Sequence, residues 1–167
     1  MITYLKGDAT VPQSKGPKLI VQINNTAGRW GKGFVLAVSK RWGRPEAMYR
    51  QWYHQRDFIQ RTDSESIVMT SGRFGLGETQ LVPVQPGLAV VNMIAQEGTR
   101  TGSKGPPIRY EALRKCLGRV NDYAEIFMAS VHMPKIGTGL GGGDWKMIEP
   151  IIQETLAERS VFVYDFG

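Results

Sequence analysis

The chain has 167 residues and a formal net charge of +6, from 21 Lys and Arg against 15 Asp and Glu. This length is that of one domain, and 41% hydrophobic with 22% charged residues is typical of a globular fold and excludes a disordered chain. No apolar run approaches the roughly 20 residues of a membrane helix, and one Cys and two His leave almost no metal ligands. We therefore expect residues 1–167 to form a single cytoplasmic domain with no signal peptide, disulfide, metal ion or other cofactor.

The pattern of apolar residues predicts alternating strands and helices. A short N-terminal strand is followed by β-branched runs at 19–23, 67–69, 81–84, 88–94, 126–131 and 161–164. Helical spacing of apolar residues marks 34–42, 45–56, 108–123 and 144–158. This order predicts a three-layer α/β/α fold with a mixed, mostly parallel central sheet. The short connections among 67–69, 81–84 and 88–94 predict antiparallel pairs, the first of them closed by a loop at Ser71–Gly77.

Two glycine-rich connections each follow a strand and precede a helix. They are Gly28–Gly33, which includes the cations Arg29 and Lys32, and Gly137–Gly143. In an open α/β sheet, ligands lie at the carboxyl ends of the strands, and glycines let backbone N–H groups approach an anion near a helix N-terminus. Two such loops predict a site for two phosphates, although each loop taken alone is also explained as a turn.

The second loop also matches a dinucleotide-binding fingerprint. Gly137, Gly139 and Gly142 have the required spacing, and Asp165 lies at about the distance of a ribose-binding acid. The position argues against a nicotinamide or flavin enzyme, because only two residues follow Asp165 and the rest of the sheet would have to precede the fingerprint.

Other catalytic patterns have little support. There is no Gly-x-Ser-x-Gly elbow for a serine hydrolase, and neither glycine loop has the Gly-Lys-Ser/Thr ending of a phosphate-binding P-loop. His132 lies within an apolar strand, Cys116 lies within an apolar helix face, and both are interpreted as structural.

The order of these segments resembles the macrodomain family, whose members bind ADP-ribose and related nucleotides. The similarity covers nearly the whole chain, and Pro134–Leu140 followed by Asp144-Trp145 is its most specific part. It is also carried by Ile2–Asp8, Asn24-Asn25, Gly28–Gly33 and Lys40–Gly43. Among macrodomains, the sequence is most similar to the branch of terminal ADP-ribose protein glycohydrolases and ADP-ribose-1″-phosphate phosphatases.

The resemblance implies a role for each matching residue. Asp8, beside Ala9, would accept a hydrogen bond from the adenine amino group, and Phe166 or Tyr164 would pack on the adenine ring. Asn25 would lie near the distal ribose, although Asp8 and Asn25 could each simply cap a turn. The implied phosphate loops are Gly31, Lys32, Gly33 and Phe34, and then Gly137, Thr138, Gly139, Leu140 and Gly141.

The sequence departs from the glycohydrolase branch at both of its familiar catalytic positions. Gln96, followed by Glu97, stands where that branch has a lysine that attacks the ribose, and an amide forms no Schiff base. Gly141 stands where the branch has an acid, and the nearest carboxylate is Asp144, which is also a good helix N-cap.

These residues support several functions. The first is hydrolysis of mono-ADP-ribose from modified proteins, at ester links to Glu or Asp, with Asp144, Asn25 and Gln96 as the catalytic residues. The alternatives are a non-catalytic ADP-ribose reader and an ADP-ribose-1″-phosphate phosphatase. A basic RNA-binding surface around residues 29–44 lacks any nucleic-acid motif. The predicted partners are therefore ADP-ribose and mono-ADP-ribosylated proteins, bound by a monomer, with no membrane and with nucleic acid as a lesser alternative.

Overall fold

The structure is a computed structural model that describes residues 1–57, 60–62, 67–139 and 141–166, with the backbone alone for 60–62. Leu140, which the sequence places in the second phosphate loop, lies outside the described residues. No helix in the described ranges is long and apolar enough to cross a membrane. No group of three or more His, Cys, Asp or Glu side chains in those ranges is arranged to hold a metal ion.

A single sheet runs through the described part of the chain. Its eight strands lie in the order β1-β8-β7-β2-β6-β5-β4-β3. The first five in this order are parallel, and the remaining three add antiparallel pairs. The strands are β1 (Ile2–Lys6), β2 (Lys18–Asn25), β3 (Gln60–Thr62), β4 (Ile67–Thr70), β5 (Thr79–Gln85), β6 (Leu88–Gln96), β7 (Ser130–Pro134) and β8 (Val161–Asp165). The mixed sheet and its antiparallel arm were both predicted from the sequence, whereas β3 was not.

Helices cover both faces of the sheet. The helices α1 (Phe34–Arg41) and α2 (Arg44–Gln55) pack on one face, in an aromatic core that includes Trp30, Tyr49 and Trp52. The helices α3 (Tyr110–Phe127) and α4 (Trp145–Thr155) pack on the other face, in a larger aliphatic core. The three-layer α/β/α prediction is therefore confirmed.

One predicted strand begins later than expected. The sequence predicts that this strand starts at Ile126, but α3 continues to Phe127 and ends at Met128 in the left-handed conformation, with φ of 53°. The strand that follows is Ser130–Pro134. Residues 126–128 are exposed and lie outside the core, whereas Ala129 and Val131 of the same run are buried in it. A left-handed C-cap is the ordinary way for a helix to end, and here it interrupts an apolar run.

The topology of the sheet predicts a crevice at the carboxyl ends of β2 and β7. The pairing of β2 with β7 covers only Lys18–Ile20 against Ser130–His132, whereas β2 pairs with β6 along its whole length. β2 leads to α1 on one face, and β7 leads to α4 on the opposite face. Such a reversal is the place where open α/β sheets bind ligands.

Three buried amide side chains connect neighbouring strands under α2. Gln22 Nε2 of β2 donates to Asn92 Oδ1 of β6 at 2.8 Å, and Asn92 Nδ2 donates to Gln80 Oε1 of β5 at 3.1 Å. Asn92 and Gln80 also donate to backbone carbonyls of α2, at Pro45 and Met48. We call Gln22, Asn92 and Gln80 the amide ladder.

His132 of β7 is completely buried and hydrogen-bonded at both ring nitrogens. Its Nδ1 lies 2.8 Å from the Tyr164 hydroxyl, and its Nε2 lies 2.7 Å from the Ser130 hydroxyl. Its ring stacks on Phe162 with the centroids 4.9 Å apart. Burial, with a smaller contribution from the charge of Lys18, lowers the pKa of His132 from 6.5 to about 4. These contacts agree with a structural histidine.

We predict that acid destabilises the protein through His132. Between pH 6.5 and about 4, the unfolded side chain takes up a proton and the folded one does not, so the free energy of unfolding falls as the pH drops. The loss is at most about 3 kcal/mol, at roughly 1.4 kcal/mol per pKa unit. Urea unfolding at several pH values measures it. The fall should persist in His54→Gln, which changes an exposed histidine, and shrink in His132→Gln. A ring-proton titration of folded His132 near pH 6.5 would contradict the prediction.

Candidate functional site

The first glycine loop is shaped by Asn25, the last residue of β2. Asn25 Oδ1 accepts from the N–H groups of Ala27 and Arg29 at 3.0 and 3.2 Å, and its Nδ2 donates to the Arg29 carbonyl at 2.9 Å. The Tyr49 hydroxyl of α2 donates to the Asn25 carbonyl at 2.6 Å. Burial raises the pKa of Tyr49, which keeps this hydroxyl protonated as a donor. The carboxamide of Asn25 therefore organises the turn, which the sequence allowed as the simpler explanation.

The far end of the same loop presents an unobstructed backbone. A methyl group added at Gly31 or Gly33 would meet nothing within 4 Å, and Gly33 has φ of 82° at the N-cap of α1. The first turn of α1 has no acidic residue, and Gly33 has no side chain to cap it. Lys32 is exposed beside these glycines, while Phe34 is half-buried. Free N–H groups at a helix N-terminus and a nearby cation are suited to binding an anion.

The glycines of the second loop serve two different purposes. A Cβ at Gly137 would lie 2.6 Å from Ile108 Cδ1, and a Cβ at Gly143 would lie 2.7 Å from the Gly137 carbonyl oxygen. These two glycines are required by close packing over the core. In contrast, Gly139 faces open space, with nothing within 4 Å of an added methyl. The Thr138 hydroxyl donates to the Lys135 carbonyl at 2.8 Å and stabilises the turn.

The connection after β6 joins the two glycine loops. The Gly98 N–H donates to the Thr26 hydroxyl of the first loop at 2.9 Å, and the Ile108 N–H donates to the Gly141 carbonyl of the second at 3.1 Å. Gln96, which is half-buried, donates from Nε2 to the Gly98 carbonyl at 3.2 Å. Its Oε1 would lie 3.1 Å from a Cβ at Gly141. Gln96 therefore lies beside the second loop and next to Asn25, its partner in the β2–β6 pairing.

Asp144 is placed as the N-cap of α4. Its Oδ1 accepts from the Lys146 N–H at 2.9 Å, and its own N–H donates to the Tyr110 hydroxyl at 3.1 Å. The side chain is exposed. The structure thus gives Asp144 the capping role that the sequence offered as the alternative to catalysis.

Asp8 follows the carboxyl end of β1, which lies four strands away from β6 in the sheet. Its Oδ1 accepts from the N–H and the hydroxyl of Thr10, at 2.8 and 2.7 Å, and its Oδ2 lies 3.9 Å from Arg41 Nη2. Arg41 Nε also donates to the Thr10 hydroxyl at 2.7 Å. Ala9 and Thr10 are buried. Arg41, the last residue of α1, thereby fixes the orientation of the carboxylate, and no local sequence signal linked it to Asp8.

The two aromatic residues near the end of the chain are not equivalent. The side chain of Phe166 is 83% exposed. Phe166 lies near Asp8 in the structure, because the Gly7 N–H donates to the Asp165 carbonyl at 2.9 Å. Tyr164 is 2% exposed, and its hydroxyl is engaged by His132 and by the Gln13 N–H. Phe166 is therefore the one of the pair that is free to stack on a planar base.

Sequence reasoning did not single out the side chain of Asn24. It is 2% exposed near the carboxyl end of β2, and neither of its polar side-chain atoms has a hydrogen-bond partner in the described structure.

A separate cavity of about 370 Å³ lies between β1 and α4, lined by Tyr4, Glu149 and neighbouring apolar residues. None of the predicted site residues lines this cavity.

Comparison with known proteins agrees with the fold. No protein-family model matches the chain. A solved macrodomain protein from Streptomyces coelicolor is 46% identical, with complete coverage of both chains and a TM-score of 0.81. A structure from Bacteroides thetaiotaomicron, described as a protein of unknown function, is 48% identical over 99% of this chain and 98% of that one, with a TM-score of 0.88. The chain belongs to the macrodomain family.

More distant relatives add functional context. A chromodomain-helicase-DNA-binding protein 1-like of Mus musculus is 29% identical over 98% of this chain, which spans only 17% of that relative. An ADP-ribose 1″-phosphate phosphatase of Candida albicans is 24% identical over 92% of this chain and 93% of its own length. A Trypanosoma brucei macrodomain solved in complex with ADP-ribose shares the fold at 18% identity, over 98% of this chain and 63% of that one, with a TM-score of 0.61.

We predict unequal losses of stability when alanine replaces two glycines of the second loop. Gly137→Ala should destabilise the protein by about 2 kcal/mol or more, since the methyl would meet Ile108 at 2.6 Å and the backbone φ is 78°. Gly139→Ala should change stability by about 0.5 kcal/mol or less, because the added methyl meets nothing. Urea unfolding of both variants tests this division, and equal losses would contradict it.

Proposed function

We propose that this macrodomain binds ADP-ribose along the carboxyl edge of its sheet. The observation that supports this most directly is the set of open glycines on either side of the crevice, with Gly31 and Gly33 after β2 and Gly139 after β7. Two unobstructed backbone segments facing one crevice suit the two phosphates of a diphosphate. The bound ADP-ribose of the trypanosome relative is consistent with this ligand.

We propose a place for each part of the ligand from the order of the strands. Asp8 and Phe166 follow the adjacent strands β1 and β8, the glycine loops follow β7 and β2, and Gln96 ends β6. Four strand spacings of about 4.8 Å give roughly 19 Å from β1 to β6. We place the adenine at Asp8 and Phe166, the diphosphate over the loops, and the distal ribose beside Gln96.

We further propose that the protein hydrolyses the ester linking mono-ADP-ribose to Glu or Asp side chains. Water attacks the ester carbonyl, the acyl–oxygen bond breaks, and free ADP-ribose and the protein carboxylate leave. Of the three predicted catalytic residues, Gln96 is the best placed, because Asn25 organises its own loop and Asp144 caps α4. A carboxamide orients water but forms no covalent intermediate, which favours slow, direct hydrolysis.

Two alternatives each have a specific observation in their favour. The Candida albicans relative, matched over nearly its whole length, favours a phosphatase that acts on ADP-ribose 1″-phosphate. The structural roles of Asn25 and Asp144 favour a reader that binds without chemistry. All three functions share the same binding site and differ at the distal ribose.

We predict selective binding of ADP-ribose that depends on Gly139. Calorimetric titration at fixed salt should give micromolar affinity for ADP-ribose and weaker binding of AMP, NAD and ribose 5-phosphate. Gly139→Ala should weaken ADP-ribose binding by about tenfold or more, because the methyl lies where a phosphate oxygen would approach the backbone. The matched control is Gly118→Ala in α3, where an added methyl also meets nothing. If all four compounds bind with equal affinity, and this affinity falls as salt is added, the prediction is wrong. The compounds would then be bound by the basic surface through charge alone.

We predict that Gln96→Ala slows ester hydrolysis with little loss of ADP-ribose affinity. The substrate is a protein carrying ADP-ribose on a Glu side chain, and released ADP-ribose is measured by mass. A tenfold or larger drop is expected, which is typical for a group that positions water. The control is Gln153→Ala, a glutamine of α4 that lines the separate cavity. Release of phosphate from ADP-ribose 1″-phosphate without ester cleavage would identify a phosphatase, and binding with no turnover would identify a reader.

A further inference from the structure

The segment that carries Asp8 has no regular structure of its own. Residues 7–17 form neither helix nor strand between β1 and β2. Only Ala9 and Thr10 within this segment are buried. A segment of this kind holds a side chain in place only where the rest of the fold fixes it.

A chain of hydrogen bonds that centres on the buried side chains of His132 and Tyr164 fixes this segment. The Gln13 N–H donates to the Tyr164 hydroxyl at 2.8 Å, and that hydroxyl lies 2.8 Å from His132 Nδ1. On the other side of the imidazole, Nε2 lies 2.7 Å from the Ser130 hydroxyl and 3.1 Å from the Ser14 hydroxyl. Two consecutive residues of the segment are thus tied to opposite sides of one histidine, Ser14 directly and Gln13 through the Tyr164 hydroxyl.

The hydrogen bonds around His132 are consistent with a proton on Nε2. The Gln13 N–H can only donate, so the Tyr164 oxygen accepts from it, and the Tyr164 hydroxyl hydrogen is available for His132 Nδ1. With Nδ1 as the acceptor, Nε2 donates toward the Ser130 and Ser14 hydroxyls, which lie 2.9 Å from each other. The Ser130 hydroxyl also lies 3.5 Å from the Pro17 carbonyl, near the end of the segment.

We propose that Tyr164, held by His132, is a positioning residue for the nucleoside end of the site. It fixes the segment at Gln13, and Arg41 fixes it at Thr10, so the Asp8 carboxylate is held from both directions. Arg41 is 46% exposed, whereas Tyr164 is 2% exposed and is shielded from competing water. This inference rests on the proposed binding of a nucleotide, and it gives Tyr164 a different role from stacking on the base.

The test compares two tyrosine-to-phenylalanine variants on three ligands. Tyr164→Phe should weaken AMP and ADP-ribose binding by roughly fivefold or more and leave ribose 5-phosphate, which has no base, within about twofold. Tyr123→Phe is the control, since it removes a hydroxyl that bonds Thr79 at 2.7 Å between α3 and β5. This control should lose stability without changing any of the three affinities. Ser14→Ala, which cuts the chain on the other side of His132, should reproduce the selective loss if Tyr164→Phe folds poorly.

Amide hydrogen exchange gives a second readout that needs no ligand. Tyr164→Phe should accelerate exchange of the Gln13 N–H and its neighbours and leave β2 and β6 unchanged. Faster exchange without selective loss of the base-bearing ligands would overturn the positioning role, and so would an equal loss for all three ligands or unchanged exchange at Gln13. Failure of the wild-type protein to bind ADP-ribose selectively would overturn the proposed function itself, and the wild-type titration is made first to separate the two failures.

Discussion

The strands β2 and β7 cannot remain paired to their ends, because one continues to a helix above the sheet and the other to a helix below it. Pairing stops after Ile20 and His132, and the carboxyl ends diverge. Every feature of the candidate site depends on this separation. The two glycine loops lie on either side of it, and the connection after β6 joins them through Thr26 and Gly141. The same reversal lets the outer strands β8 and β1 place Phe166 and Asp8 at one end of the crevice.

The glycines around the crevice have two different structural roles. Gly137 and Gly143 let the second loop lie directly on Ile108 and Ile148, so the loop rests on the aliphatic core. Gly31, Gly33 and Gly139 leave backbone uncovered on the side toward solvent. A loop that packs on the core and has an uncovered face keeps its N–H groups oriented before any ligand arrives. Such preorganisation reduces the ordering cost of binding.

Much of the fold could be predicted from the sequence, and so could the glycine loops of the candidate site, because strand periodicity and glycine spacing are local signals. The sequence could not show which glycines pack on the core and which face open space. That distinction depends on contacts with Ile108 and Ile148, which are distant from Gly137 in the chain. The choice between Tyr164 and Phe166 also required the structure, which buries one and exposes the other. The apolar run at 126–131 misled the strand prediction, because composition alone does not reveal a left-handed helix end at Met128. The contact of Arg41 with the Asp8 turn has no sequence signature at all.

The amide ladder favours the native register of the strands β2, β6 and β5 during folding. Gln22 donates to Asn92, and Asn92 donates to Gln80, only when β2, β6 and β5 are in their native register. A slip of β6 by two residues keeps its apolar faces inward but leaves buried amides opposite aliphatic neighbours, and each unpaired group costs about 1–3 kcal/mol. The same slip would displace Gln96 by roughly 7 Å relative to Asn25. The ladder thus disfavours misaligned strand pairings that hydrophobic burial alone would allow. It also keeps the end of β6 in register with the end of β2, where the first glycine loop begins.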